Sequence, residues 1–198
     1  MNEVLKCLKE RRSIRKYKNQ QITDQELEQI LEAGMYAPTA LGLQSPIMVV
    51  VQDPKTIQTL SKMNAAVMGV DSDPFYGAPT VVIVLADRNR PTYIEDGSLV
   101  MGNLMNAAFS LGVDSCWINR AREVFDTEEG KALLKKWGIE GDYAGIGNCI
   151  LGYRDCELPA PKPRKESPAS SSIMPPMSVA AVIISVGITF GSIYFRRI

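Results

Sequence analysis

Seven consecutive residues near the amino terminus, Arg11-Arg12-Ser13-Ile14-Arg15-Lys16-Tyr17, concentrate forked guanidinium donors and a hydroxyl. Such a donor set suits a phosphate ester; the competing reading is a solvated basic turn. A second basic group, Lys162-Pro163-Arg164-Lys165, either closes over the same anion or flanks the apolar segment that follows it. In the latter place it would attract anionic headgroups. Between the two groups, Ala37 to Pro46 (APTALGLQSP) is a loop of small residues where a flat ligand could lie against backbone. Trp117-Ile118-Asn119-Arg120 ends an apolar run and turns at Ala121. Taken singly, each of these signals is weak.

The absences are more decisive. The chain has no histidine, so Ser-His-Asp and Cys-His nucleophiles, His-ligated zinc and His bases are excluded. The four cysteines, Cys7, Cys116, Cys149 and Cys156, contain no Cys-x-x-Cys pair, and Cys116 and Cys149 read as buried reduced thiols. No GxGxxG follows a strand, and no phosphate-loop motif is present. With 22 basic and 22 acidic residues, the net charge of zero argues against a nucleic-acid partner. If the chain is an enzyme, the demanding chemistry belongs to a cofactor.

The elements that must position these residues follow from patterning. Val4, Leu5 and Leu8 predict a first helix running into Arg11. Thr23-Asp24-Gln25-Glu26 is a capping box for a second helix, with Leu27, Ile30 and Leu31 facing inward and Gly34 as its stop. Strands are expected at 47–51, 80–86, 113–118 and 147–153, a central helix at 98–111, and a capped helix after Thr127. Helices and strands mix without strict βαβ alternation, which implies an α+β layered domain.

Past residue 165 the composition shifts. A Ser/Pro-rich linker at 166–176 leads to Met177–Phe195, nineteen residues without a charge, followed by Arg196-Arg197-Ile198. At about 1.5 Å per residue such a helix spans roughly 28 Å, close to the ~30 Å hydrocarbon core of a bilayer. The expectation is a transmembrane tail anchor with the larger domain facing the cytosol; the alternative is a buried C-terminal helix. Gly187 and Gly191 form a GxxxG step.

Taken together and in this order, RRSIRKY, APTALGLQSP, GAPTVVIVLAD, DGSLVMGNLMNAAFSLGVDSCWINRA and GNCILGY…PKPRK resemble the nitroreductase family of FMN-dependent oxidoreductases. The resemblance covers residues 1–165. It implies a mixed β-sheet flanked by helices and a homodimer with FMN at the interface. By that likeness Arg11, Arg12, Ser13 and Arg15 bind FMN, and Lys162 and Arg164 complete the phosphate pocket. Arg15 also sits near the N1/O2 edge of the flavin, where positive charge favours the reduced anion. Pro38 and Thr39 line the ring from the other subunit, and Gln44 takes the place of the family's loop glutamine. Ile118 and Asn119 approach the ring with backbone groups, and Asn64 corresponds to a mid-chain FMN-binding asparagine.

Three positions depart from the family: Gly42 where many members carry asparagine, Asn119 where relatives show histidine or glutamate, and Phe109 where close relatives show histidine. The implied reaction is a ping-pong relay. Hydride passes from NAD(P)H to flavin N5 and on to a nitroaromatic, quinone or similar small-molecule acceptor, with no catalytic side chain required. The alternative is a non-catalytic FMN-binding or membrane-scaffold protein whose activity has eroded through the changes at Gly42 and Asn119.

Overall fold

The computed structural model describes residues 2–164. The chain divides into two units, Met1–Pro161 and Lys162–Ile198. The anchor expected at 177–195 therefore lies outside the described residues. Among those described, no helix is long and apolar enough to cross a membrane.

The larger unit is built on four strands: β1 (Ile47–Val51), β2 (Thr80–Asp87), β3 (Asp114–Ile118) and β4 (Tyr143–Gly152). They pair in the order β1-β2-β4-β3, and every pairing is antiparallel. This corrects the expected mixed sheet. Among the described residues the parallel component shrinks to one bridge, Ser13 with Ser115, because the segment after the first helix meets β3 for a single residue pair.

Both faces of the sheet are covered, which is why β2 (TVVIVLAD) is apolar at almost every position. Val81, Ile83 and Leu85 pack with Leu60 and Met63 of α3 (Pro54–Met68) and with Val124 and Phe125 of α5 (Ala121–Asp126). Leu134 of α6 (Glu128–Lys136) joins the same layer. Val82 and Val84 face the other way, onto Ile30 of α2 (Asp24–Met35) and Met101 and Leu104 of α4 (Tyr93–Ser110). α1 (Glu3–Glu10) contributes no buried residue; Val4, Leu5 and Leu8 are 65, 54 and 53% exposed.

Helix boundaries follow local chemistry. Thr23 and Glu26 form the expected reciprocal cap of α2. Gly34, however, is not the stop of α2. It lies inside the helix, where a Cβ would come within 2.8 Å of Met48 Sδ and 2.9 Å of Leu104 Cδ2. Close packing against α4 and β1 is what requires the glycine. α3 and α5 had no counterpart in the sequence reading, although Asp53 caps α3 by accepting from Thr56 N and Pro54 occupies its first turn.

Between Val84–Gly147 and Leu85–Gly145 the β2–β4 register slips, leaving Ile146 as an extra residue. The bulge aims Ile146 at Gly97 of α4, so closely that a Cβ on Gly97 would sit 2.5 Å from Ile146 Cγ1.

Candidate functional site

The arginine segment is pinned by its apolar residues. Ile14 and Tyr17 are buried in the core on the α3 side, Ile14 N donates to Ser115 O at 3.1 Å, and Tyr17 Oη donates to Ile14 O at 2.8 Å. Tyr17 also bridges Arg154 beyond β4. With Ile14 and Tyr17 held inward, Ser13 stays half-buried against β3 and Arg15 is exposed. Arg12 turns back over the end of α1, its Nη1 donating to Lys9 O at 2.7 Å and Arg11 O at 2.8 Å. That places a cation where the helix leaves carbonyls unsatisfied.

What remains at this corner is a set of buried polar atoms without protein partners: Arg11 Nη1, Arg12 Nε and Ser115 Oγ. A buried unpaired donor costs on the order of 1–3 kcal/mol, more when charged. Two guanidinium edges and a hydroxyl fit an anion with several acceptor oxygens. The positive charge of Arg11 also reaches Cys149, yet burial outweighs it and pushes that thiol up to about 12. Burial likewise raises Cys7 against the pull of Arg11.

From Ser115 the strand runs three residues to Ile118, about 10 Å of extended chain. There Ile118 is buried and Asn119 exposed, and Arg120 adopts a left-handed conformation with φ of 78°. Asn119, Arg120, Arg122, Glu123, Gly145 and Ile146 line a cavity of about 330 Å³. A hydrogen bond from the Arg120 guanidinium at 2.7 Å leads the effects that hold the Glu123 carboxyl below its ordinary value. β3 thus brings the arginine segment and the Ile118–Asn119 turn into one line along the edge of the sheet.

Pro38, Thr39 and Gln44 belong to a loop anchored elsewhere. Gln44 N donates to Thr39 Oγ1 at 3.0 Å, and both residues line a cavity of about 150 Å³ with Met48 and Val100. Pro38 is exposed, and Leu41 is 94% exposed. Among the described residues, no hydrogen bond joins this loop to the arginine segment of the same protomer. Asn64 is fully buried on α3, its Oδ1 accepting from Asn148 Nδ2 at 3.3 Å. Asn148 is the register partner of Ile118, so Asn64 stands behind the Ile118–Asn119 turn instead of opening to solvent. Lys162 and Arg164 are exposed residues of the second unit.

Ser115, Asn148 and Asp96 were missed by sequence reasoning. Ser115 sits inside an apolar strand and gains its place only through the bridge to Ser13. Asp96 opens a long helix and reads locally as a favourable first-turn acid.

The nitroreductase family profile matches residues 8–71. A protein of Archaeoglobus fulgidus named for NADH dehydrogenase and NAD(P)H nitroreductase activity is 35% identical over 159 residues, 77% of this chain and 86% of that protein. The crystal structure of a nitroreductase with bound FMN from Bacteroides fragilis superimposes with a TM-score of 0.80 at 30% identity, covering 86% of this chain and 99% of that one. An FMN reductase [NAD(P)H] of Bacillus subtilis is 33% identical over 90 residues, 46% of this chain and 34% of that protein. With the arginine segment, the β3 edge and the α+β layers all in place, the chain belongs to the nitroreductase family.

Proposed function

We propose that this protein is an FMN-dependent NAD(P)H oxidoreductase acting on a nitroaromatic, quinone or similar small acceptor. The carrying observation is the set of unpartnered buried donors, Arg11 Nη1, Arg12 Nε and Ser115 Oγ, at one end of the β3 edge. The phosphate of FMN satisfies them, with Ser13 beside Ser115. Arg15, exposed and two residues on from Ser13, faces the ring and favours its reduced anion.

FMN, when bound, supplies the hydride chemistry; the chain supplies position and charge. About 10 Å along β3 from Ser115, the Ile118–Asn119 backbone meets the ring, and Asn148 and Asn64 support that turn from inside. Pro38, Thr39 and Gln44 line the ring of the partner protomer in a homodimer. The exposed apolar face of α1 (Val4, Leu5, Leu8) favours such an assembly, since a soluble monomer gains nothing by displaying it. No side chain needs to move a proton, in keeping with a chain that lacks histidine. Residues 177–195 tether the enzyme to a membrane, with the flavin domain on the cytosolic side; their length and lack of charge support this reading.

The test is the visible spectrum of the purified full-length protein, followed by anaerobic titration with NADH and NADPH. Bleaching of a yellow flavin band at one reductant per flavin is expected. A bound flavin that stays oxidised would leave the protein a binder, not an enzyme. Deleting residues 166–198 should move a still flavin-loaded protein from the membrane to the soluble fraction; no change of fraction sinks the tether.

A further inference from the structure

Asp96 is a buried carboxylate outside the arginine corner and the β3 edge. Its Oδ1 accepts from Ala40 N at 3.0 Å and its Oδ2 from the Thr92 hydroxyl at 3.2 Å. A carboxylate withdrawn from water is costly unless its oxygens are bonded, and one of these two bonds runs to the loop that carries Pro38, Thr39 and Gln44.

That loop is strained. Leu41, Gly42 and Gln44 have φ of 54°, 65° and 50°, and two of the three are not glycine. Such backbone persists only where the surroundings over-determine it. The bonds of Thr39 Oγ1 to Gln44 N and of Asp96 to Ala40 N do so here. One residue beyond Asp96, Gly97 abuts the bulged Ile146, which lines the Asn119 cavity. The N-terminal end of α4 therefore touches both the loop, through Asp96, and the wall beside Asn119, through Gly97.

We infer that Asp96 is a positioning residue that fixes the reach of the 39–44 loop over the ring it lines in the dimer, and so limits the size of acceptor admitted. The inference rests on the flavin reading above. Losing the tether lets the loop, with its exposed Leu41, retreat and widen the slot, while the phosphate contacts are untouched.

The experiment uses the full-length protein carrying Asp96→Ala, compared with Asp96→Asn, whose carboxamide oxygen still accepts from Ala40 N. Three quantities are read: hydrogen exchange of the Ala40 amide, flavin per chain, and the kcat/KM ratio of a two-ring quinone (menadione) to a one-ring quinone (p-benzoquinone). Asp96→Ala should speed exchange at least tenfold, retain flavin, and shift the ratio at least fivefold toward menadione. Asp96→Asn should stay within about twofold of the parent in both the exchange rate and the kcat/KM ratio.

Unchanged exchange overturns the tether. Faster exchange with an unchanged ratio, or a parallel fall for both quinones with flavin loss, overturns the size-limiting role. If Asp96→Ala does not fold, Ala40→Pro removes the donor from the loop side. Thr39, at φ −130° and ψ 153°, already has the conformation that precedes proline. The same ratio shift is then expected, and its absence is equally fatal. A parent protein without flavin defeats the flavin reading instead, and Ala40 exchange in the two Asp96 variants still judges the tether.

Discussion

Arg154 Nη1 donates to both oxygens of Asp114, at 3.0 and 3.1 Å, and the Arg154 amide adds a third bond at 3.3 Å. The Asp114 side chain is 1% exposed and Arg154 is 40% exposed. The pair joins the start of β3 to the exit of β4, beside the point where Tyr17 bridges Arg154. It holds together the strand that carries Ser115 and the segment that carries Ser13.

Removing Arg154 leaves a buried carboxylate with its amide bond alone. Loss of one partner from a fully buried pair costs about 3–5 kcal/mol, and partial exposure of the guanidinium reduces that here. Arg154→Ala should lower unfolding free energy by about 2 kcal/mol with an unchanged denaturant slope. A midpoint equal to the parent's would show that the pair contributes nothing.

The arginine corner is tested by flavin retention. A hydrogen bond to a charged group contributes about 1.5–3 kcal/mol, so Arg11→Met should weaken FMN retention roughly 10- to 100-fold by equilibrium dialysis. Arg15→Ala should weaken retention and also slow reduction by NAD(P)H in stopped flow. Full occupancy with an unchanged reduction rate would remove Arg15 from the site.

Acid stability should report the cap of α2. Burial alone raises the Glu26 carboxyl, but hydrogen bonds from the Tyr153 hydroxyl and from the Thr23 side chain and backbone together hold it below its ordinary value of 4.5. Its folded pKa thus lies below the unfolded one. The group stabilises the fold above pH 4.5 and loses that contribution as pH falls through the folded value. The stability gap between parent and Glu26→Gln should be widest near neutrality and narrow in acid, while Thr23→Ala costs about 1 kcal/mol at pH 7. Parallel pH curves for parent and Glu26→Gln would contradict the sign.

Gly145 is needed for space. A Cβ there would lie 2.4 Å from the backbone carbon and oxygen of Ala121, which cannot yield as a flexible side chain would. Gly145→Ala should cost about 1–3 kcal/mol and shift the Asn119–Arg120 turn. The expected readout is a lower thermal midpoint together with an altered visible circular dichroism of the bound flavin. A parent-like midpoint would mean that α5 moves freely against β4.

Much of this architecture was legible locally. The Thr23-Glu26 cap, the apolar runs of β1 and β2 and the Thr127 cap of α6 depend on neighbours within a few residues, and composition displays those. The basic segment at 11–15 was visible for the same reason. α3 escaped because its buried face is broken by Ser61 and Asn64, and Gly34 misled because a glycine in a close crossing reads like a terminator. The mixed sheet was an expectation from the family resemblance; patterning along the chain gave no strand direction of its own, because direction depends on how distant segments return.

The sequence by itself determined which chemistry is excluded, since a chain without histidine has no imidazole to place, and which residue types gather near Arg11. Tertiary structure alone decided which of those groups remain unpaired. Arg12 Nη1 is used up by the end of α1, whereas Arg11 Nη1 and Ser115 Oγ are buried without partners. It also set Asn64 behind the Ile118 turn and tied Ala40 to Asp96. The physical reason is that burial and hydrogen-bond pairing belong to the assembled layers: a residue's chemistry is encoded in its type, but its availability depends on segments far away in the chain.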